Sequence, residues 1–175
     1  MRALVVYESM FGNTELVARA VATGLREAGA TVTVSRVDEA DPATLTEYDV
    51  VVAGAPTHAL SMPRASTRED AVRQGAAPEH HETGLREWLD GLEPAVGERP
   101  AFAVFDTRVG VGAVRHLSGS AARRAARALR RRKGTLADAP TSFFVGGTSG
   151  PLLPGEEDRA SAWGARLGRV TASLG

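Results

Sequence analysis

Short apolar runs alternating with apolar stripes at helical spacing constrain this chain more than any other feature of its sequence. The runs are Ala3–Tyr7, Thr31–Ser35, Val50–Gly54, Ala101–Phe105 and Ser142–Val145. A strand covered on both faces has no side to expose to water, so it reads as an unbroken apolar run. Four of the five runs read that way. Thr31–Ser35 instead alternates Val with hydroxyl residues, which places it at the edge of a sheet.

Between the runs, apolar residues recur at i, i+3, i+4 and i+7. One stripe holds Leu16, Val17, Ala20, Val21 and Leu25 and closes at Gly29, a C-terminal helix signal. Others hold Leu85, Trp88, Leu89 and Leu92, then Ala122, Ala125, Ala126 and Leu129 up to Gly134, and finally Trp163, Leu167, Val170 and Leu174. Glu156, Glu157 and Asp158 open the last of these, where the helix dipole favours acids. No strand is expected from Pro56 to Thr83, although Ser66-Thr67-Arg68-Glu69 reads as a capping box for a short helix through Arg73. Strands joined by right-handed helical crossovers make a doubly wound α/β sheet, which binds ligands at the carboxyl ends of its strands. With 175 residues and no internal repeat, one domain over 1–175 is expected.

Composition removes several kinds of chemistry. There is no cysteine, which excludes disulfides, thiolate metal sites and a thiol nucleophile. Redox work would need a bound cofactor. The 21 basic and 21 acidic side chains cancel, so no overall field selects nucleic acid or an anionic membrane. No apolar stretch approaches membrane-spanning length, and a cytoplasmic chain is expected. The basic run Arg123, Arg124, Arg127, Arg130, Arg131, Arg132 and Lys133 lies opposite alanines at helical spacing, which describes a solvated helix face rather than a nucleic-acid surface. Glu79-His80-His81-Glu82 has metal-ligand residue types, but neighbours in sequence rarely converge on one ion, so no metal site is assigned.

The strongest local signal is Ser9-Met10-Phe11-Gly12-Asn13-Thr14, between a buried strand and an amphipathic helix. A helix start leaves several N–H groups unpaired and carries partial positive charge, so it can hold a phosphate without lysine or arginine. The hydroxyls of Ser9 and Thr14, the amide of Asn13 and the flexibility of Gly12 suit that task. Neither the spacing and lysine of a nucleoside-triphosphate loop nor the glycine pattern of a dinucleotide loop is present. A mononucleotide is the better fit. Receiver-type signalling and cobalamin binding also lack their residues, since Ala55-Pro56-Thr57 ends the third strand and no Asp-x-His-x-x-Gly occurs.

Val6-Tyr7-Glu8-Ser9 followed by Gly12-Asn13-Thr14 and Leu16-Val17-Ala18 resembles the phosphate loop of the flavodoxin family, in particular the flavodoxin domains of flavodiiron proteins. The resemblance implies a five-stranded parallel sheet of order 2-1-3-4-5 with helices on both faces, and flavin mononucleotide (FMN) as cofactor. It also implies that two further loops meet the flavin ring. One carries Pro56, Thr57, His58 and Ala59, and the other carries Asp106, Thr107, Arg108 and Gly110. Family members often stack Trp and Tyr on the ring, whereas these loops offer only His58 as an aromatic. His58, Leu60, Met62 and Arg108 are therefore expected to pack there. Trp88 and Trp163 fall on helix stripes and belong to the core.

The resulting expectation is an FMN-binding electron-transfer protein serving a redox partner protein or a small-molecule acceptor. Two alternatives stand beside it: an FMN-dependent NAD(P)H:quinone-type oxidoreductase, and a non-redox binding module on the same fold. The segment after the third strand is long enough to build a substrate pocket or a homodimer surface, and no general acid or base is assigned.

Overall fold

The computed structural model describes residues 1–77, 83–92, 100–112 and 119–172. Its sheet contains β1 (Arg2–Tyr7), β2 (Thr31–Arg36), β3 (Val50–Pro56), β4 (Ala101–Val109) and β5 (Thr141–Val145). The order is β2-β1-β3-β4-β5, and every neighbouring pair is parallel. The Val/Thr strand β2 is at an edge, as its alternation predicts. Its threonines stay at least partly accessible while β1 and β3 are almost entirely buried.

Helices cover both faces. α1 (Asn13–Glu27) and α5 (Glu156–Ala172) lie on one side, where Val17, Val21, Leu25, Trp163 and Leu167 pack with Val5, Val52 and Phe105. α3 (Leu85–Asp90) and α4 (Ala121–Arg131) lie on the other, where Trp88, Leu89, Ala125 and Leu129 meet Leu4, Val51 and Phe102. Both tryptophans are core residues, each 3% exposed. Phe105, Phe143 and Trp163 meet edge-to-face with centroids 6.0, 6.2 and 5.9 Å apart, the geometry that ring quadrupoles favour. α1 and α5 come unusually close. A Cβ on Gly24 would overlap the Ser161 carbonyl, and one on Gly164 would overlap that of Val21.

Four sequence expectations need correction. Leu16 and Val170 are 45% and 41% exposed and lie outside the buried stripes. On α1 the core takes Val17, Ala18, Val21, Ala22 and Leu25, and successive helix residues are about 100° apart, so Leu16 is carried to the rim. α2 (Ala65–Arg73) exists, but the proposed box is not what starts it. Thr67 Oγ1 accepts from the Arg64 N–H at 2.9 Å instead. Finally, β3 and β4 run past their apolar stretches, pairing Ala55 with Asp106 and Pro56 with Thr107. Asp106, Thr107 and Arg108 are thus strand residues rather than loop residues. The Glu79–Glu82 motif lies outside the described residues, as does Leu174. Among the described residues no helix is long and apolar enough to cross a membrane.

Candidate functional site

The carboxyl ends of β1, β3 and β4 open into a cleft of about 260 Å³. Its floor begins where β1 gives way to α1. Gly12 is the residue before the helix, with φ of 84°, a left-handed conformation that costs glycine nothing and other residues roughly 1–2 kcal/mol. No side chain caps the helix at Gly12. Ser9 Oγ instead accepts from the Glu15 N–H at 3.3 Å, so one of the helix's first donors is satisfied from the preceding strand end. Among the described residues the N–H groups of Met10 through Thr14 donate to no protein acceptor. Five amide donors thus lie at the positive end of a helix with no basic side chain in the loop. That donor set fits one phosphate monoester.

Two side chains assigned to the phosphate loop have other partners. Asn13 Nδ2 donates to the Ser149 carbonyl at 3.0 Å, tying α1 to the loop after β5. The Thr14 and Thr107 hydroxyls bond each other at 2.7 Å, bridging α1 to β4 beneath the cleft. Either hydroxyl can be the donor, which leaves the other's proton available.

Met10, Phe11, Asn13, Thr14, Pro56, Thr57, His58, Ala59, Thr107 and Arg108 all line the cleft. Ser9, Gly12, Asp106 and Gly110 do not. Asp106 is wholly buried behind it. Its Oδ2 accepts from Thr57 Oγ1 at 2.9 Å, from the Ala122 N–H at 3.0 Å, and from Ser120 Oγ. Thr57 Oγ1 in turn accepts from the Ala121 N–H at 2.9 Å. The aspartate therefore holds the end of β3 and the start of α4 against β4, as a brace rather than a contact. Leu60 is 40% exposed, and Met62 is buried in the α3–α4 core, so neither packs in the cleft as expected. Leu60 belongs to a tight turn in which His58 and Ser61 exchange backbone hydrogen bonds of 2.9 Å, with Ala59 and Leu60 at φ of 45° and 63°, and Met62 follows it. Desolvation lowers the His58 imidazole below its ordinary value, against an opposing hydrogen bond to the Thr67 backbone.

One wall of the cleft was not found from sequence. Thr67, Asp70, Ala71 and Gln74 of α2 and its C-terminal end line the cleft. Their i, i+3, i+4, i+7 spacing was readable, but polar residues at those positions describe a solvated face. Gly147 and Thr148 complete the rim.

Comparison with known proteins agrees with this geometry. Residues 5–92 match the family described as Flavodoxin. Oxidised flavodoxin 1 of Bacillus cereus superposes with a TM-score of 0.67 at 18% identity, covering 97% of this chain and 98% of that one. Rubredoxin oxygen:oxidoreductase of Desulfovibrio gigas superposes with a TM-score of 0.62 at 14% identity over 98% of this chain and 36% of its own. The NAD(P)H dehydrogenase (quinone) of Acidovorax ebreus (strain TPSY) is 42% identical over 35% of this chain and 41% of the relative. This chain therefore aligns with about two fifths of that curated relative's length. A loop without lysine or arginine at the β1–α1 junction, a 2-1-3-4-5 sheet and a family match over residues 5–92, which include that junction, lead to one conclusion: the chain belongs to the flavodoxin family and its cofactor is FMN.

Proposed function

We propose that this chain is an FMN-dependent oxidoreductase that moves reducing equivalents from a reduced nicotinamide to a quinone-class acceptor. The net reaction consumes a reduced nicotinamide, a proton and a quinone, and yields an oxidised nicotinamide and a hydroquinone. The N–H groups of Met10–Thr14 would hold the FMN phosphate, and the backbone at Pro56–Ala59 and Thr107–Arg108 would border the ring. Bound there, the flavin supplies the hydride acceptance and electron donation that no side chain of the cleft provides.

One observation carries the reading beyond a carrier role. No Trp or Tyr lines the cleft among the described residues, where Phe11 and His58 are the aromatic side chains. A ring held in such a cleft keeps a face open to a second planar reactant. The small Ala59 side chain leaves room for that approach, and His58, whose imidazole burial lowers below its ordinary value, borders it. The likeness to quinone dehydrogenases supports the same reading. A second reading, electron carriage to a partner protein, is favoured by superposition on a flavodoxin along nearly the whole of both chains.

The deciding experiment is steady-state oxidation of NADH and NADPH by the FMN-loaded protein with a soluble naphthoquinone. Turnover supports the oxidoreductase. No turnover with either nicotinamide, while chemically reduced protein passes electrons to a one-electron acceptor protein, overturns it in favour of the carrier.

A further inference from the structure

Behind the cleft lies a charge cluster that the proposed reaction does not use. Glu8, the residue before the phosphate loop, is 2% exposed, and Arg68, on α2, is 0% exposed. Arg68 Nη1 stands 3.8 Å from Glu8 Oε1 and 3.1 Å from Glu87 Oε2 of α3. Glu8 Oε2 accepts from the Leu85 N–H at 2.9 Å, at the start of α3, while its Oε1 has no hydrogen-bond partner. Gly84 is pressed against both. A Cβ there would overlap Arg68 Nη1 and stand 2.8 Å from Glu8 Oε2. The residue that leads into the phosphate loop is thus bound electrostatically to the helix that forms one wall of the cleft. Their second contact is apolar, Met10 packing on Ala71 and Ala76.

We propose that Glu8 and Arg68 form a buried latch that sets how closely α2 stands over the cleft, making both of them positioning residues for the flavin. The proposal rests on FMN occupying this cleft. Without the latch, α2 has few apolar anchors: Arg68 and Ala71 are its buried residues. The groups facing Glu8 are Arg68 from α2 and Arg86 and Glu87 from α3. Burial raises the Glu8 carboxyl to about 7, with the Leu85 N–H and the two arginines opposing that shift and Glu87 reinforcing it. The latch is charged above neutral pH and loses its carboxylate charge below it.

The test is a fluorescence-quench titration of FMN with the full chain and with Glu8→Gln, from pH 6 to 8.5. Glutamine keeps an acceptor for the Leu85 N–H and removes the titration. The FMN phosphate ionises identically in both experiments, so the difference between the two profiles isolates Glu8. The wild-type affinity should gain on the order of tenfold relative to the variant as pH rises through 7. Gly84→Ala, at a residue that does not line the cleft, should weaken FMN severalfold by displacing the Arg68 head group, and circular dichroism should show that it remains folded. A wild-type-to-variant difference that does not change with pH, or a Gly84→Ala affinity equal to wild type, overturns the latch. If the wild type binds FMN, either result leaves the cleft assignment standing. If it binds none at any pH, the cleft assignment and the latch fall together.

Discussion

The two sides of the cleft are built on different physical terms. On the phosphate side, a strand buried from Ala3 onward leads through a five-residue loop into a helix, and the useful groups are backbone N–H donors of that loop and the helix start. On the other side, a turn with two consecutive non-glycine residues at positive φ leads into a short helix whose position depends on a charge buried beneath it. An anchor for a phosphate can be generic, because every FMN carries the same one. A wall bordering the ring, as proposed for Pro56–Ala59, would have to suit a particular potential and a particular reactant, and no Trp or Tyr lines the cleft among the described residues.

If the contrast holds, damage to the α2 wall should cost more stability than damage to the cradle. Arg68→Leu leaves Glu8 buried without its cation, and at pH 8 it should lower unfolding free energy by about 3–5 kcal/mol, measured by urea denaturation. An effect below about 1 kcal/mol would mean that α2 is held by packing. The pH dependence of stability is the next largest effect. Because the folded Glu8 carboxyl sits at about 7, above its ordinary 4.5, the native state binds its proton more tightly than the unfolded chain does. Its stabilising contribution is present below about 4.5 and is lost as pH climbs to about 7. Stability and FMN affinity should therefore move in opposite directions across that range, since unfolding returns the carboxylate to water whereas closure brings it toward Arg68. Urea midpoints for wild type and Glu8→Gln would show this directly.

On the cradle side, Gly12→Val forces a β-branched residue to φ of 84°. It should lower stability by about 1–3 kcal/mol and abolish FMN binding, because the loop amides are displaced. Retained binding would remove the phosphate from this loop. The smallest effect belongs to the turn. Ala59→Gly relieves a left-handed alanine at the expense of a more flexible unfolded chain, and should raise stability by about 0.5–1 kcal/mol in thermal melts, with a measurable change in quinone turnover if the turn borders the ring.

What was legible in the sequence follows the same division. The edge position of β2, the α1 start and the core tryptophans were readable because each rests on local periodicity or on a short stretch of chain, whereas the strand order came from the family resemblance. Strand ends were not, because Asp106 and Thr107 are polar residues held in the sheet by partners on β3 and β5. The brace made by Asp106 and the pairing of Glu8 with Arg68 join residues distant in sequence, and a single polar residue carries no mark of the partner it will meet. The α2 wall was hidden for a related reason. Thr67, Asp70 and Gln74 look like a helix face turned to water, as they would be were no cleft beside them.

The glycine-mediated fit of α1 against α5 bears on what seats the phosphate loop. The loop Ser9–Thr14 is a short, continuous stretch of chain. The helix that aims those amides, however, packs against a partner near the other end of the sequence, at Ser161 and Gly164. The loop's setting is thereby tied to an element far along the chain, and the motif by itself lacks the surface that seats its helix.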